Sequence, residues 1–149
     1  MVIPFTDREI EKAWRDNWSA SCITPRTNAH RLLLFYAVEC GLKAVLMRRE
    51  KPRTNRTDLC RDIDKCQHDV NKLLDCLFAG NNLKLPAQLS MKPIKGKSGK
   101  ADERKFTPGE VNQMWRYGGC SSLVDTTDEE LENKLLEIVK WIDGELKRL

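Results

Sequence analysis

The sequence lacks any apolar segment long enough to cross a membrane. Its longest apolar run covers residues 32–38, whereas a spanning helix needs roughly 18 or more consecutive apolar residues. Residues 1–5 are mostly apolar, but charged side chains follow from Asp7 onward, so the hydrophobic stretch of a secretion signal is missing. These absences predict a cytoplasmic protein with no membrane partner.

The sequence also lacks the motifs of a zinc site and of a nucleoside-triphosphate site. The six cysteines form no CxxC pair, which argues against a zinc site and predicts reduced thiols in the cytoplasm. No glycine-rich loop follows a predicted strand, so a nucleoside-triphosphate site is not indicated. We therefore predict neither a metal nor a cofactor.

Helix start signals divide the chain. Thr6, Thr107 and Thr127 are each followed three residues later by a glutamate, which is the spacing of a capping box. Apolar residues then recur at helical spacings of three and four. The pattern predicts a first helix ending near residue 17 or 18, a second over about 27–49, a short one after residue 107 and a last one after residue 127.

The middle of the chain is less regular. Residues 58–77 carry an apolar stripe, but the sequence leaves open whether residues 58–66 continue into the helix that follows. Residues 84–105 contain two prolines and two glycines without periodicity, which predicts a flexible basic loop. No period-two alternation predicts a sheet. The expected fold is all-α, an antiparallel bundle of four to five helices in one domain over residues 1–149.

The most apolar helix contains two charges. Glu39 and Lys43 stand one helical turn apart, amid leucine, phenylalanine, valine and alanine. Such a pair is tolerated in a central helix only if partners satisfy it. The pattern predicts a structural ion pair; the alternative is that it orders Arg116 or Tyr117 from across the core.

Three blocks, in this order and spacing, resemble the HEPN superfamily of small α-helical bundles. Residues 32–49, LLLFYAVECGLKAVLMRR, are similar to the family's second helix, with an aromatic and then Glu-x-x-Leu-Lys-Ala. Residues 67–77, QHDVNKLLDCL, are similar to its His-Asp-x-x-x-Leu-Leu block. Residues 111–119, VNQMWRYGG, are similar to its Arg-Tyr segment before the terminal helix. The resemblance covers about residues 6–148.

The resemblance implies two kinds of function. Many members of the superfamily are metal-independent RNases that act as dimers, with an arginine followed some four to six residues later by a histidine. Others are non-catalytic and bind RNA, nucleotides or partner proteins, and bacterial relatives often belong to toxin–antitoxin or phage-defence systems. Here Arg116 aligns with the motif arginine, but residues 121–123 are Ser-Ser-Leu, so the expected histidine is missing.

A second catalytic candidate combines Arg61 with His68. If residues 58–78 form one helix, these two side chains share a face two turns apart. Metal-free RNA cleavage needs a group that takes the 2′-hydroxyl proton, one that protonates the leaving oxygen and a cation on the phosphate. The roughly 10 Å between the two Cα atoms in such a helix is a distance that a phosphate can span, though the pair is not a tight dyad. The alternative interpretation of His68 is a packing or helix-start residue.

The charge distribution favours a polyanion partner. Basic residues crowd two connections, and Trp115 beside Arg116 is an aromatic–basic neighbour pair that could stack on a base. The predicted RNA- or nucleotide-binding residues are Arg48, Arg49, Arg53, Arg56, Lys95, Lys97, Trp115 and Tyr117.

Three hypotheses follow. The leading one is a non-catalytic HEPN-like module, a homodimer that recognises RNA, a nucleotide or a partner protein in a bacterial defence or toxin–antitoxin system. The second is an endoribonuclease toxin that uses Arg61 and His68, or Arg116 with a residue from another helix. The third is a docking module for an antitoxin or a larger effector protein, in which the basic loops serve solubility.

Overall fold

The computed structural model describes residues 3–50 and 54–149, and most of this part of the chain is helical. Two long helices come first and a third closes the chain, with short helices and a hairpin between them. The bounds are α1 Asp7–Ser21, α2 Asn28–Arg49, α3 Arg61–Cys66, α4 Val70–Cys76, β1 Leu89–Lys95, β2 Ala101–Phe106, α5 Val111–Arg116 and α6 Asp128–Arg148.

Helix α2 is the centre of the molecule. It packs against α1, α4, α5 and α6, and its side chains from Leu34 to Met47 are largely buried. A helix that is apolar on every side is stable only when neighbours cover every side. Gly41 lets α1 and α6 approach α2 closely, since a Cβ there would lie 2.7 Å from the Trp14 ring and 2.8 Å from an Ile142 methyl.

The capping signals found in the sequence position the long helices. Thr6 and Glu9 form a complete capping box at the start of α1, and Thr127 Oγ1 accepts a hydrogen bond from Glu130 N at 3.2 Å. Helix α2 has the predicted bounds, whereas α1 runs to Ser21, beyond the predicted end. Leu131, Leu135, Ile138 and Ile142 form the buried stripe of α6.

The segment that the sequence left open is two short helices. Helix α3 ends at Cys66, where Gln67 adopts a positive φ of 50° and turns the chain. Asp69 then caps α4, and its Oδ1 accepts from Lys72 N at 3.1 Å. Residues 61–66 are thus helical but not continuous with α4.

The prediction of an all-α fold is wrong, because residues 89–106 form an antiparallel hairpin in place of a flexible loop. The strands are exposed over most of their length, so they carry no alternating apolar pattern. The register shifts by one residue between Met91 and Ile94, at Pro93, which has no N–H for the ladder. Gly99, with φ 84°, closes the turn between the strands.

The helices share one hydrophobic core, and the side chains of Leu89 and Phe106 anchor the hairpin to it. Within the described residues, no helix combines the length and apolar character that crossing a bilayer requires.

Candidate functional site

Glu39 is the most deeply buried carboxylate in the described part of the chain, at 6% exposed. Its Oε2 accepts from Lys43 Nζ at 2.8 Å, so the predicted ion pair within α2 is present. Its Oε1 lies 2.9 Å from Nδ1 of His68. An ionised carboxylate only accepts, so the imidazole donates through Nδ1, and its Nε2 has no partner among the residues that the structure describes.

His68 lies in the turn between α3 and α4, not on a helix shared with Arg61. The break at Gln67 removes the common face on which the Arg61–His68 pairing depended. Arg61 instead lines a separate pocket with Ile3 and Asp58. The structure therefore contradicts the one-helix arrangement of this candidate pair.

The imidazole of His68 borders a polar pocket. Its side chain is 55% exposed, and Lys65, Lys72 and Glu110 line the same pocket. Glu110 is engaged locally, because its Oε1 accepts from Thr107 N at 3.3 Å. Neither lysine makes an ion pair with a described residue. The pocket therefore presents two lysines, the carboxylates of Asp69 and Glu110, and one oriented imidazole.

Arg116 ends α5 and is held by α2. Its guanidinium donates to the Tyr36 hydroxyl and lies 5.9 Å from the centroid of the Tyr36 ring. Hydrogen bonds to the hydroxyls of Tyr36 and then Tyr117 raise the pKa of the guanidinium above its usual value. Sequence reasoning missed Tyr36, whose only signal is the aromatic in the block that resembles the HEPN superfamily.

Arg116 and His68 are held at neighbouring positions on α2. Tyr36 binds the first and Glu39 the second, and residues three apart are neighbours on a helix surface. Helix α5 runs back along α2, since Asn28 Nδ2 donates to Gly119 O at 2.9 Å. The fold thus anchors an arginine and a histidine, 48 residues apart in the chain, to residues that are three apart on α2. The hydrogen bonds of the Glu39 carboxylate go to Lys43 and His68, and the sequence-based alternative that it orders Arg116 or Tyr117 stays a prediction.

The predicted basic residues fall into two groups. Arg48 donates to Glu11 at 2.7 Å, Arg49 donates to Glu145 at 3.1 Å, and Arg56 forms a two-pronged pair with Asp58. Arg53 lies outside the described residues. These paired arginines are already neutralised by local carboxylates.

The hairpin lysines are different. Lys92, Lys95, Lys97 and Lys100 are all exposed, and none makes an ion pair with a described residue. Over residues 89–106 the sequence has six basic and two acidic side chains. The resulting net charge of +4 equals the formal net charge of the whole chain.

The two aromatic candidates also differ. Trp115 is 2% exposed, and its indole N–H donates to Asp128 Oδ1 at 3.2 Å, so its ring is not presented for stacking. Tyr117 is 78% exposed. Of the pair, only Tyr117 offers an accessible ring.

The described residues contain no cluster of three His, Cys, Asp or Glu side chains that could hold a metal ion. Several thiols are poor nucleophiles, because only the thiolate attacks. Burial, with the Glu39 charge beside it, raises the pKa of Cys40 to about 11. Burial, with the Cys76 sulfur 3.5 Å away, raises the pKa of Cys66 to about 12.

No family model, curated protein or solved structure matches this chain.

Proposed function

We propose that this protein is an RNA-binding, HEPN-like helical module of a bacterial defence or toxin–antitoxin system, cytoplasmic and homodimeric. The observation that carries the proposal is the charge of the hairpin, whose four exposed lysines make no ion pair with any described residue. The three sequence blocks support the HEPN-like assignment and, through it, the dimer and the cellular setting.

Free cations favour a polyanion because binding releases the counterions condensed on the phosphates. An arginine already paired with a carboxylate gives up that pair before it binds phosphate, so Arg48 and Arg49 are weaker candidates. The hairpin lysines meet no such cost. We therefore place the RNA-binding surface on the hairpin and the adjoining end of α5.

Replacement of Lys95, Lys97 and Lys100 by alanine is expected to weaken binding to a single-stranded oligoribonucleotide. Each lost phosphate contact lowers the slope of log K against log salt by about 0.7 for single strands, so the slope should become shallower by about 2. Fluorescence anisotropy across a salt series measures the affinity and the slope together.

A matched control carries the same change in charge elsewhere. Lys12, Lys140 and Lys147 are exposed on α1 and α6, and their triple replacement by alanine should leave the salt slope unchanged. If both triple variants lose affinity equally, binding follows net charge and not the hairpin. If the unaltered protein binds no RNA at low salt, the proposal fails and a module that docks an antitoxin or effector protein is favoured.

A second candidate function is a metal-independent endoribonuclease. The observation that favours it is the placement of Arg116 and His68 against neighbouring residues of α2. The imidazole, fixed by the buried Glu39, would remove the 2′-hydroxyl proton through Nε2 as the 2′-oxygen attacks the phosphorus and the bond to the 5′-oxygen breaks. The imidazolium would then give that proton to the departing 5′-oxygen, and the guanidinium would stabilise the charged phosphate. Arg61 has no part in this version of the mechanism.

If the protein is a ribonuclease, it should cleave single-stranded RNA in the presence of EDTA. His68→Ala should then lower the rate by about 10²- to 10⁴-fold, the usual contribution of a general acid or base. His30 is the matched control, because it is the other histidine and its Nδ1 serves the α2 cap at Thr27. Cleavage that survives His68→Ala, or that His30→Ala removes equally, would exclude this mechanism.

A further inference from the structure

A small pocket lies where the hairpin meets α5. It encloses about 190 Å³, less than the roughly 300–1,000 Å³ of pockets for drug-sized ligands. Its apolar lining consists of Met91, Phe106 and Met114. A Cβ on Gly119 would lie 2.7 Å from Met91 Sδ, so glycine lets the thioether lie against the backbone there. The volume and lining suit a single flat ring system.

Two of the side chains that line the pocket are suited to stacking on a base. Tyr117 is 78% exposed, and Arg104 is fixed to the hairpin because its Nε donates to Lys92 O at 2.8 Å. Unpaired bases in RNA stack on aromatic rings and on guanidinium planes. Lys92 makes no ion pair within residues 3–50 and 54–149 and adjoins Met91 in β1, so a cation suited to binding phosphate lies next to the pocket.

The remaining lining residues are hydrogen-bonding groups with free capacity. Glu110 uses Oε1 for the Thr107 cap, and its Oε2 has no protein donor among the described residues. Gln113 is exposed and also has no such partner. A carboxylate oxygen accepts from the exocyclic amino group of adenine, cytosine or guanine. Uracil lacks that group, and its one donor, N3–H, lies between two carbonyl oxygens that repel a carboxylate.

We propose that this pocket binds one unpaired, amino-bearing nucleobase of single-stranded RNA, an inference that rests on the RNA-binding function proposed above. Tyr117 and Arg104 stack on the base, Met91 and Met114 contact it with soft apolar groups, and Glu110 selects against uracil. The base pocket adjoins the pocket of His68, since Glu110 lines both.

The experiment uses an oligoribonucleotide with one central 2-aminopurine, whose fluorescence falls when the base stacks. Saturating protein should quench it. Tyr117→Ala should weaken binding about tenfold, within the usual contribution of one stacked base, and should abolish the quenching. An oligoadenylate should bind more tightly than an oligouridylate of equal length, and Glu110→Gln should reduce that preference.

Phe78→Ala is the matched control. Phe78 is an exposed aromatic at 93%, follows α4 and does not line this pocket. Its replacement should change neither affinity nor quenching. A fully abasic oligonucleotide should bind the unaltered protein and Tyr117→Ala with equal affinity.

Two negative outcomes are distinguishable. If the RNA binds in a manner that depends on Lys95, Lys97 and Lys100 but 2-aminopurine stays bright and Tyr117→Ala is neutral, the base pocket is overturned and the RNA-binding function stands. If no oligonucleotide binds at low salt, both proposals fail together.

Discussion

Replacement of Glu39 by alanine is expected to lower the free energy of unfolding by about 3 kcal/mol. Lys43 would then lie in the core, with its side chain 13% exposed and without a counterion, and removal of one partner of a buried pair typically costs about 3–5 kcal/mol. Equilibrium urea denaturation followed by circular dichroism measures the loss.

A double variant separates stability from function. Glu39→Leu combined with Lys43→Met removes both charges and keeps the volume, so its stability should lie within about 1 kcal/mol of the unaltered protein. His68 would then lose its orienting carboxylate in a protein that is still folded. The RNA-cleavage activity of this variant therefore reports on the orientation of the imidazole and not on stability. A stable Glu39→Ala variant would show that Glu39 does not balance a buried charge.

Replacement of Gly41 by valine is expected to destabilise the fold by about 3 kcal/mol. A Cβ at this position meets Trp14 at 2.7 Å and Ile142 at 2.8 and 2.9 Å, all below ordinary contact distance. These two residues belong to α1 and α6, so both helices must move away from α2. Overpacking of this kind typically costs about 1–3 kcal/mol, and the branched side chain places it at the upper end. Thermal denaturation measures it.

Gly144 provides the control for that substitution. It lies on α6, and a Cβ there would have no neighbour within 4 Å. Gly144→Val should leave stability within about 0.5 kcal/mol, since valine is slightly the better helix former. Equal losses at the two glycines would mean that the three-helix contact at Gly41 is not the cause.

The long helices were predictable because their signals are local. The threonine–glutamate boxes lie within four consecutive residues at the starts of α1 and α6, and the bounds of α2 follow from its apolar run. The hairpin gave no such signal, because its exposed strands do not alternate and Pro93 interrupts their pairing. The break between α3 and α4 depends on Gln67 at positive φ, a conformation that glutamine rarely adopts and that composition does not indicate.

The site was predictable only in its parts. His68, Arg116 and Tyr117 were identified from the sequence, but their arrangement depends on Tyr36 and Glu39, which the fold alone brings to them. The sequence could not show which basic residues are free to bind RNA, because Glu11 and Glu145 lie far along the chain from the arginines that they bind. Arg104 was missed because its role depends on the hairpin.

The RNA-binding surface that we propose lies on the hairpin and the end of α5. Titration of ¹⁵N-labelled protein with a single-stranded oligoribonucleotide, followed by amide chemical shifts, tests it residue by residue. We expect the largest changes over residues 89–106 and 116–119, with smaller ones around His68. Changes confined to the end of α2, at Arg48 and Arg49, or no changes at low salt, would contradict the account.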